Sequence, residues 1–285
     1  MTIDTEKGPV SIDRKPTRVV ALTRDYVDTL LVLGIQPVGA NRSSRTEGGV
    51  YPWQKGLLDA GKATLLNTDV NTDFSLEKVA ALRPDLILAD WAAEEQYDKL
   101  RQIAPTLKLP GDTTWQDRVR TVARATGTDA RTEKIVTDAE AEISRVKQKL
   151  PGLAGKTFTM ALVIGPGQLI VVSDQSDFAV KFFGQLGMNL SAGAKAITDP
   201  DGQLSLEKLD AIDADYLLIS AINQQDLDDL KKNPIYQRLG AIRDGRVSEL
   251  DVETIYAVRL PSPLTFPYVF QRIEPTLTKI AAVRS

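Results

Sequence analysis

Apolar residues along the chain fall into two arrangements, short continuous runs and stripes at helical spacing. Arg18-Val-Val-Ala-Leu22 is a β-branched run that predicts a buried strand. After Thr23-Arg24-Asp25, the apolar positions from Tyr26 to Leu33 repeat with a helical period, and Gly34 closes that helix. Pro37 to Ala40 predicts a second, brief strand, followed by a glycine- and serine-bearing loop from Asn41 to Pro52. Ser75 stands where it caps a helix running to Leu82, Arg83-Pro84 stops it, and Asp85 to Ala89 predicts another buried strand. Strands alternating with helices in this way indicate a parallel α/β sheet.

Farther on, Thr114 to Ala125 and Ala130 to Leu150 read as helices separated by Gly127 and ended by Pro151-Gly152. Val136, Ala139, Ile143, Val146 and Leu150 form one apolar stripe on an otherwise charged rod. At about 1.5 Å per residue that second helix is roughly 32 Å long, enough to bridge two lobes. The alternation then resumes. Phe158 to Ile164 and Leu169 to Val172 predict strands around a Gly165 to Gln168 turn, and Asp177 to Leu186 a helix ending at Gly187. Leu204 to Ile212 reads as a helix, and Tyr216 to Ser220 and Val247 to Leu250 as strands.

The two halves resemble each other. Ser75 to Leu88 and Ser205 to Leu218 align without a gap, sharing the opening Ser-Leu-Glu-Lys, an alanine, an aspartate and a final leucine. Leu33-Gly34 is echoed by Leu186-Gly187, each after a strand and a helix. Two similar lobes follow from this duplication. The expected division is an N-terminal α/β lobe over 1–116, a helical segment over 117–152 and a C-terminal α/β lobe over 153–285.

Composition narrows the chemistry. With 35 Lys and Arg against 38 Asp and Glu, the net charge is -3, and no basic tail is present to suit nucleic acid. The strongest apolar runs, 85–93 and 216–222, fall far short of the roughly 18 residues that span a bilayer. Cysteine and histidine are both absent. That removes Ser-His-Asp and Cys-His nucleophiles, thiolate or imidazole zinc sites and histidine-ligated haem. The opening Met1-Thr-Ile-Asp-Thr-Glu6 lacks an apolar signal core, which leaves a cytoplasmic protein or an exported one whose signal has been removed.

Several segments now point one way: Gly8-Pro-Val-Ser-Ile12, Lys15-Pro-Thr-Arg-Val-Val-Ala-Leu22, the paired Ser-Leu-Glu-Lys segments, the long mid-chain helix, and Asn233 to Val247. In order and spacing, over nearly the whole chain, they resemble the substrate-binding proteins of iron-siderophore and vitamin B12 ABC importers. The resemblance implies two Rossmann-like α/β lobes with parallel sheets, joined by one long rigid helix, with a ligand cleft between the lobes. It also implies export, lipid anchoring through a cysteine of the precursor in Gram-positive organisms, a monomer, no cofactor, and a permease dimer as partner. Glu77 and Glu207, each two residues into one of the paired segments, correspond to the glutamates that dock on permease arginines. A carboxylate in a first helical turn also gains about 0.3 to 1 kcal/mol from the helix dipole alone.

Ligands of parallel α/β sheets sit beyond the carboxyl ends of the strands. The loops there carry Thr23, Arg24 and Tyr26, then Asn41, Arg42, Arg45, Tyr51 and Trp53, then Asp90 and Trp91. In the second half they carry Gln175, Phe178, Asn223, Gln224, Tyr256 and Arg259. Arginine offers a planar fork of donors to anionic oxygens, and the aromatic rings offer flat apolar surface with a polar edge, as an iron(III)-siderophore complex requires. Without histidine, a coordinatively saturated ferric trihydroxamate suits this chain best. Haem through a tyrosine, or cobalamin against aromatic rings, are the alternatives within the family.

A two-lobed α/β enzyme such as a glycosyltransferase is the competing class, resting on Asp25, Asp90 and Asp251 at strand ends. It lacks a phosphate-cradling glycine loop and an assignable carboxylate pair. Gly165-Pro-Gly167 is followed by a strand and reads as a hairpin turn, the sequons at Asn41 and Asn189 are short enough to arise by chance, and Asp226 to Lys232 reads as a solvated helix face.

Overall fold

The structure, a computed structural model, describes residues 1–68 and 73–283, with the side chains of 47, 68, 91 and 92 outside the description. The chain divides into two compact units, one of Met1–Ala139 with Ser262–Leu264 and one of Glu140–Pro261 with Thr265–Ser285.

The first unit opens with an antiparallel hairpin, β1 (Thr2–Thr5) and β2 (Gly8–Ser11). There follow β3 (Val19–Ala21), α1 (Arg24–Val32), β4 (Gly39–Arg42), β5 (Thr64–Thr68), α2 (Leu76–Ala81), β6 (Leu86–Ala89), α3 (Tyr97–Ile103), β7 (Thr106–Lys108) and α4 (Trp115–Thr126). The sheet is parallel throughout, in the order β5-β4-β3-β6-β7. Its continuous apolar runs follow from burial on both faces. Val19, Ala21, Leu86 and Leu88 point into one core with Tyr26, Leu30 and Val122, while Val20, Leu22, Ile87 and Ala89 point into another with Val79 and Leu100. The period of two along each strand thus serves two cores.

The hairpin is strapped to the sheet edge. The Glu6 amide donates to the Lys108 carbonyl at 2.9 Å, and the buried Lys108 ammonium bridges Glu6 at 2.8 Å and Glu94 at 2.7 Å. Lys7 also reaches Glu94, and the two lysines hold that carboxyl down to about 2. At the end of α4, Gly127 takes φ 63°, a left-handed cap open to glycine at no steric cost.

The boundary between the units falls inside α5 (Thr132–Lys149), between Ala139 and Glu140. All five residues of the predicted stripe, from Val136 to Leu150, are buried. The second unit continues with β8 (Thr157–Gly165), β9 (Gln168–Val171), α6 (Phe178–Gln185), β10 (Asn189–Leu190), α7 (Ala192–Lys195), β11 (Gln203–Ser205) and β12 (Tyr216–Ala221). After these come α8 (Gln224–Lys231), α9 (Pro234–Arg238), α10 (Gly240–Arg243), β13 (Val247–Glu249), α11 (Val252–Arg259) and α12 (Thr265–Ala282). Its sheet runs β11-β9-β8-β12-β13, with β10 also on β8. β8, β10, β12 and β13 are parallel, whereas β9 and β11 are antiparallel additions at one edge.

An aromatic cluster fills this unit. Phe183 lies 4.4 Å from Phe158, 5.1 Å from Phe182 and 6.0 Å from Tyr216 between ring centroids, and Phe182 lies 5.5 Å from Phe270 of α12. Deleting one such ring costs about 3 to 5 kcal/mol. The Tyr216 hydroxyl donates to Ser248 Oγ at 2.9 Å, so the one polar tip buried among them is satisfied.

Three expectations need correcting. Leu204 belongs to a strand, paired with Leu169, and the segment Leu206–Ile212 is a 3-10 helix with a kink at Lys208. Glu77 and Glu207 therefore sit in helices of different type, because the second Ser-Leu-Glu-Lys segment is drawn into the sheet edge at Ser205. Asn41 and Arg42 extend β4 where a loop was expected. Among the described residues no helix is long and apolar enough to cross a membrane.

Candidate functional site

In the first unit β3 hands directly to α1, and the first turns of α1 bury three charged side chains, Arg24, Asp25 and Asp28. Asp25 accepts from Arg118 Nε at 3.0 Å. Burial pushes its carboxyl up, but Arg118, a Thr23 hydrogen bond and Arg24 outweigh that, and it stays below the usual carboxylate range. Asp28 is different. It accepts from Trp53 Nε1 at 3.0 Å, Gln54 Nε2 at 2.6 Å and Ser262 Oγ at 2.8 Å, yet burial prevails over these bonds and over Arg24, and its pKa is raised.

Above this carboxylate the predicted aromatic and arginine residues gather. Tyr51 and Trp53 stack at 5.2 Å with planes 19° apart, and the Arg24 guanidinium lies 5.2 Å from the Trp53 ring and 5.9 Å from Tyr51. Tyr51 donates to Asn41 Oδ1 at 3.0 Å, Asn41 to Asn67 at 3.3 Å, and Asn67 to the Leu22 carbonyl at 3.1 Å, which ties the stack to the end of β3. Arg24, Tyr51 and Trp53 are 6%, 2% and 8% exposed.

Arg42, the last residue of β4, and Arg45, in the loop that follows it, are by contrast exposed. Tyr26 is a correction: its ring is 2% exposed in the first core, and burial raises its hydroxyl pKa, so its side chain is a packing element. The side chain of Trp91 lies outside the described ones.

In the second unit the ends of β8 and β12, strand β9 and helix α11 enclose a cavity of about 750 Å³, within the range of ligand pockets. Tyr256 and Arg259 both line it. Arg259 donates to Asp177 Oδ2 through Nη2 at 2.7 Å and Nε at 3.1 Å, while the same carboxylate caps α6 through the Ala179 amide at 2.8 Å. Phe178 is partly buried beneath Lys181, whose Nζ lies 4.7 Å from the ring centre, and is not among the lining residues. Exposed Asn223 caps α8, accepting from the Gln225 amide at 3.0 Å. Two further lining carboxylates, Asp174 and Asp201, look like ordinary loop acids in the sequence.

Both glutamates of the paired segments are exposed. The Ser75 hydroxyl donates to Glu77 at 2.7 Å and accepts from the Lys78 amide at 3.2 Å, and that bond holds the Glu77 carboxyl below its usual range. Ser205 makes no side-chain capping bond.

Comparison with known proteins adds a family to this geometry. The model of the periplasmic binding protein family matches residues 19–254. A Bacillus subtilis (strain 168) protein named as an ABC transporter substrate-binding lipoprotein is 28% identical over 261 residues, covering 86% of this chain and 79% of that protein. The iron(3+)-hydroxamate-binding protein FhuD of the same organism is 27% identical over 286 residues, 98% of this chain and 86% of its own. Among solved structures, PiaA of Streptococcus pneumoniae TIGR4 in complex with ferrichrome superposes with a TM-score of 0.78 at 25% identity, over 98% of each chain.

Proposed function

The chain belongs to the periplasmic binding protein family, and from that premise we propose that it is the substrate-binding component of an ABC importer that captures a ferric siderophore outside the cytoplasm. The observation that carries this reading is the alignment of an iron(3+)-hydroxamate-binding protein over 98% of this chain. The cavity of the second unit supports it, with Tyr256 and Arg259 at its wall. A ferric trihydroxamate is the preferred cargo: its iron is already saturated by six oxygens, so a chain without histidine or cysteine has no coordination to complete. The work of such a protein is binding, through apolar and aromatic surface and a few fixed polar groups, and it requires no nucleophile or general base.

Of the side chains singled out in the sequence, Tyr256, Arg259, Arg42 and Arg45 are the proposed direct contacts. Arg24, Tyr51 and Trp53 act from beneath, as a preorganised layer held by Asp28 and Asn41. Glu77 and Glu207 are proposed to dock on the two subunits of a permease dimer, and the mature protein to be held at the membrane surface by a lipid on its precursor's cysteine. Calorimetric titration with a ferric trihydroxamate, a ferric tricatecholate, haem and cobalamin in parallel tests the reading. Tight, saturable binding of the trihydroxamate is the expected result; binding of haem or cobalamin alone overturns the choice of cargo.

A further inference from the structure

Arg259 stands at the cavity wall of the second unit with one edge of its guanidinium already committed. Its Nε and Nη2 both donate to Asp177 Oδ2, at 3.1 and 2.7 Å, while its Nη1 has no partner among the described residues. The Arg259 side chain is 42% exposed and that of Asp177 only 11%, so the acid is the fixed member of the pair and the guanidinium the open one.

What fixes Asp177 is the helix it begins. Its other oxygen, Oδ1, accepts from the Ala179 amide at 2.8 Å and caps α6, and its carbonyl accepts from the Val180 and Lys181 amides at 3.0 and 3.2 Å. α6 carries Phe182 and Phe183 into the aromatic cluster, where both are buried. Arg259 is the last residue of α11, which packs against α6. One carboxylate therefore starts a helix rooted in the core with one oxygen and grips the arginine at the end of a second helix with the other.

Two physical effects of this grip on binding have opposite signs. A free arginine side chain loses rotamer freedom when it meets a ligand, and a pinned one has lost it beforehand, which favours binding. An anion lying against the guanidinium also weakens its pull on the electron-rich oxygens of a ligand, which opposes binding. Resting on the reading of this chain as a receptor whose Arg259 meets its cargo, we propose that Asp177 is a positioning residue for Arg259, presenting Nη1 from a fixed place at the cavity wall, and that this preorganisation outweighs the charge it cancels.

Two substitutions separate the grip from the cap. Asp177→Ala removes both, whereas Asp177→Ser restores a capping oxygen and is too short to hold the guanidinium. The whole chain is titrated calorimetrically with a ferric trihydroxamate and melted in parallel. Asp177→Ala is expected to lower the melting midpoint by about 2 to 4 °C and Asp177→Ser to recover most of that, while both bind the chelate about fivefold more weakly than the unaltered protein. In an Arg259→Ala background, Asp177→Ser should make no further difference to affinity, because the group it positions is gone. Should Asp177→Ser lose its melting transition, Asp177→Asn, which keeps a capping oxygen and gives up the charge, takes its place with the same expected loss. Affinity that is unchanged or higher in that variant, or that falls as far in the Arg259→Ala background, overturns the positioning role and leaves the receptor reading standing. An unaltered protein that binds no ferric trihydroxamate overturns the receptor reading and this inference with it.

Discussion

In the first unit, Arg24, Tyr51 and Trp53 lie folded onto one another and onto Asp28, each at 8% exposure or less. In the second, Tyr256 and Arg259 stand at the wall of a cavity of about 750 Å³, and the Arg259 side chain is 42% exposed. Both sets follow the ends of strands, so position in the topology does not separate them. What separates them is the partner. A carboxylate sunk beneath the first set draws an indole N–H, an amide and a hydroxyl inward, and the rings close over it. The carboxylate that meets Arg259 is a helix cap that is mostly but not fully buried, and it fixes the guanidinium while leaving it partly exposed. Arginine and aromatic residues at strand ends therefore form either a rigid floor or an open wall, and the depth of the acid that holds them separates the two.

The largest effect expected lies outside both sets. Glu77→Ala with Glu207→Ala should abolish uptake in cells while calorimetric affinity for the ferric chelate stays unchanged. With Ser75 fixing one carboxylate and no cap at Ser205, Glu77→Ala alone should cost more uptake than Glu207→Ala.

Asp28→Ala strikes the floor. It leaves the donors of Trp53, Gln54 and Ser262 unmet beside Arg24, and stability measured by denaturant titration should fall by about 3 to 5 kcal/mol. Gly202→Ala strikes the wall, combining φ +72° with a 2.2 Å approach to the Val171 carbonyl oxygen, and should cost about 2 kcal/mol together with weaker chelate binding.

Arg259→Ala should separate the two roles most cleanly. Its ion pair is partly solvated, so stability should change by less than about 1 kcal/mol, while affinity for the chelate falls about tenfold. The same loss of affinity without any of the stability loss is what the floor residues should not show.

The mildest contrast is in pH. Because the folded-state pKa of Asp28 is raised, the native state holds that proton more tightly than the unfolded chain does. Its contribution to stability is greatest below the ordinary aspartate value of about 3.9 and is lost as pH rises through the raised value. Asp25 has the opposite sign, its contribution present at neutral pH and lost as pH falls below the carboxylate range. Asp28→Asn should therefore gain ground on the unaltered protein as pH rises from acid toward neutral, in melting experiments run side by side.

Much of the architecture was legible in the sequence because short-range rules govern it. The runs at Val19 and Leu86 are continuous since both sheet faces are covered, Ser75 and Gly127 mark helix ends, and the Val136 to Leu150 stripe is buried as its spacing requires. What the local pattern does not encode depends on distant partners. Leu204 becomes a strand only because Leu169 of β9 is available at the sheet edge, and nothing near Leu204 announces that. By its distance from β3 Tyr26 reads as a cleft residue, but it shares a helical face with Leu30 and enters the same core; the phase of that helix is the signal that places it. Asp174 and Asp201 reach one cavity from separate loops, a convergence that no local pattern encodes.

The most direct test of the receptor account is a fluorescence titration of the chain's three tryptophans with a ferric trihydroxamate. Saturable quenching with a submicromolar midpoint is the predicted result. A signal that stays flat, or falls only in proportion to added chelate with no plateau, would contradict the account.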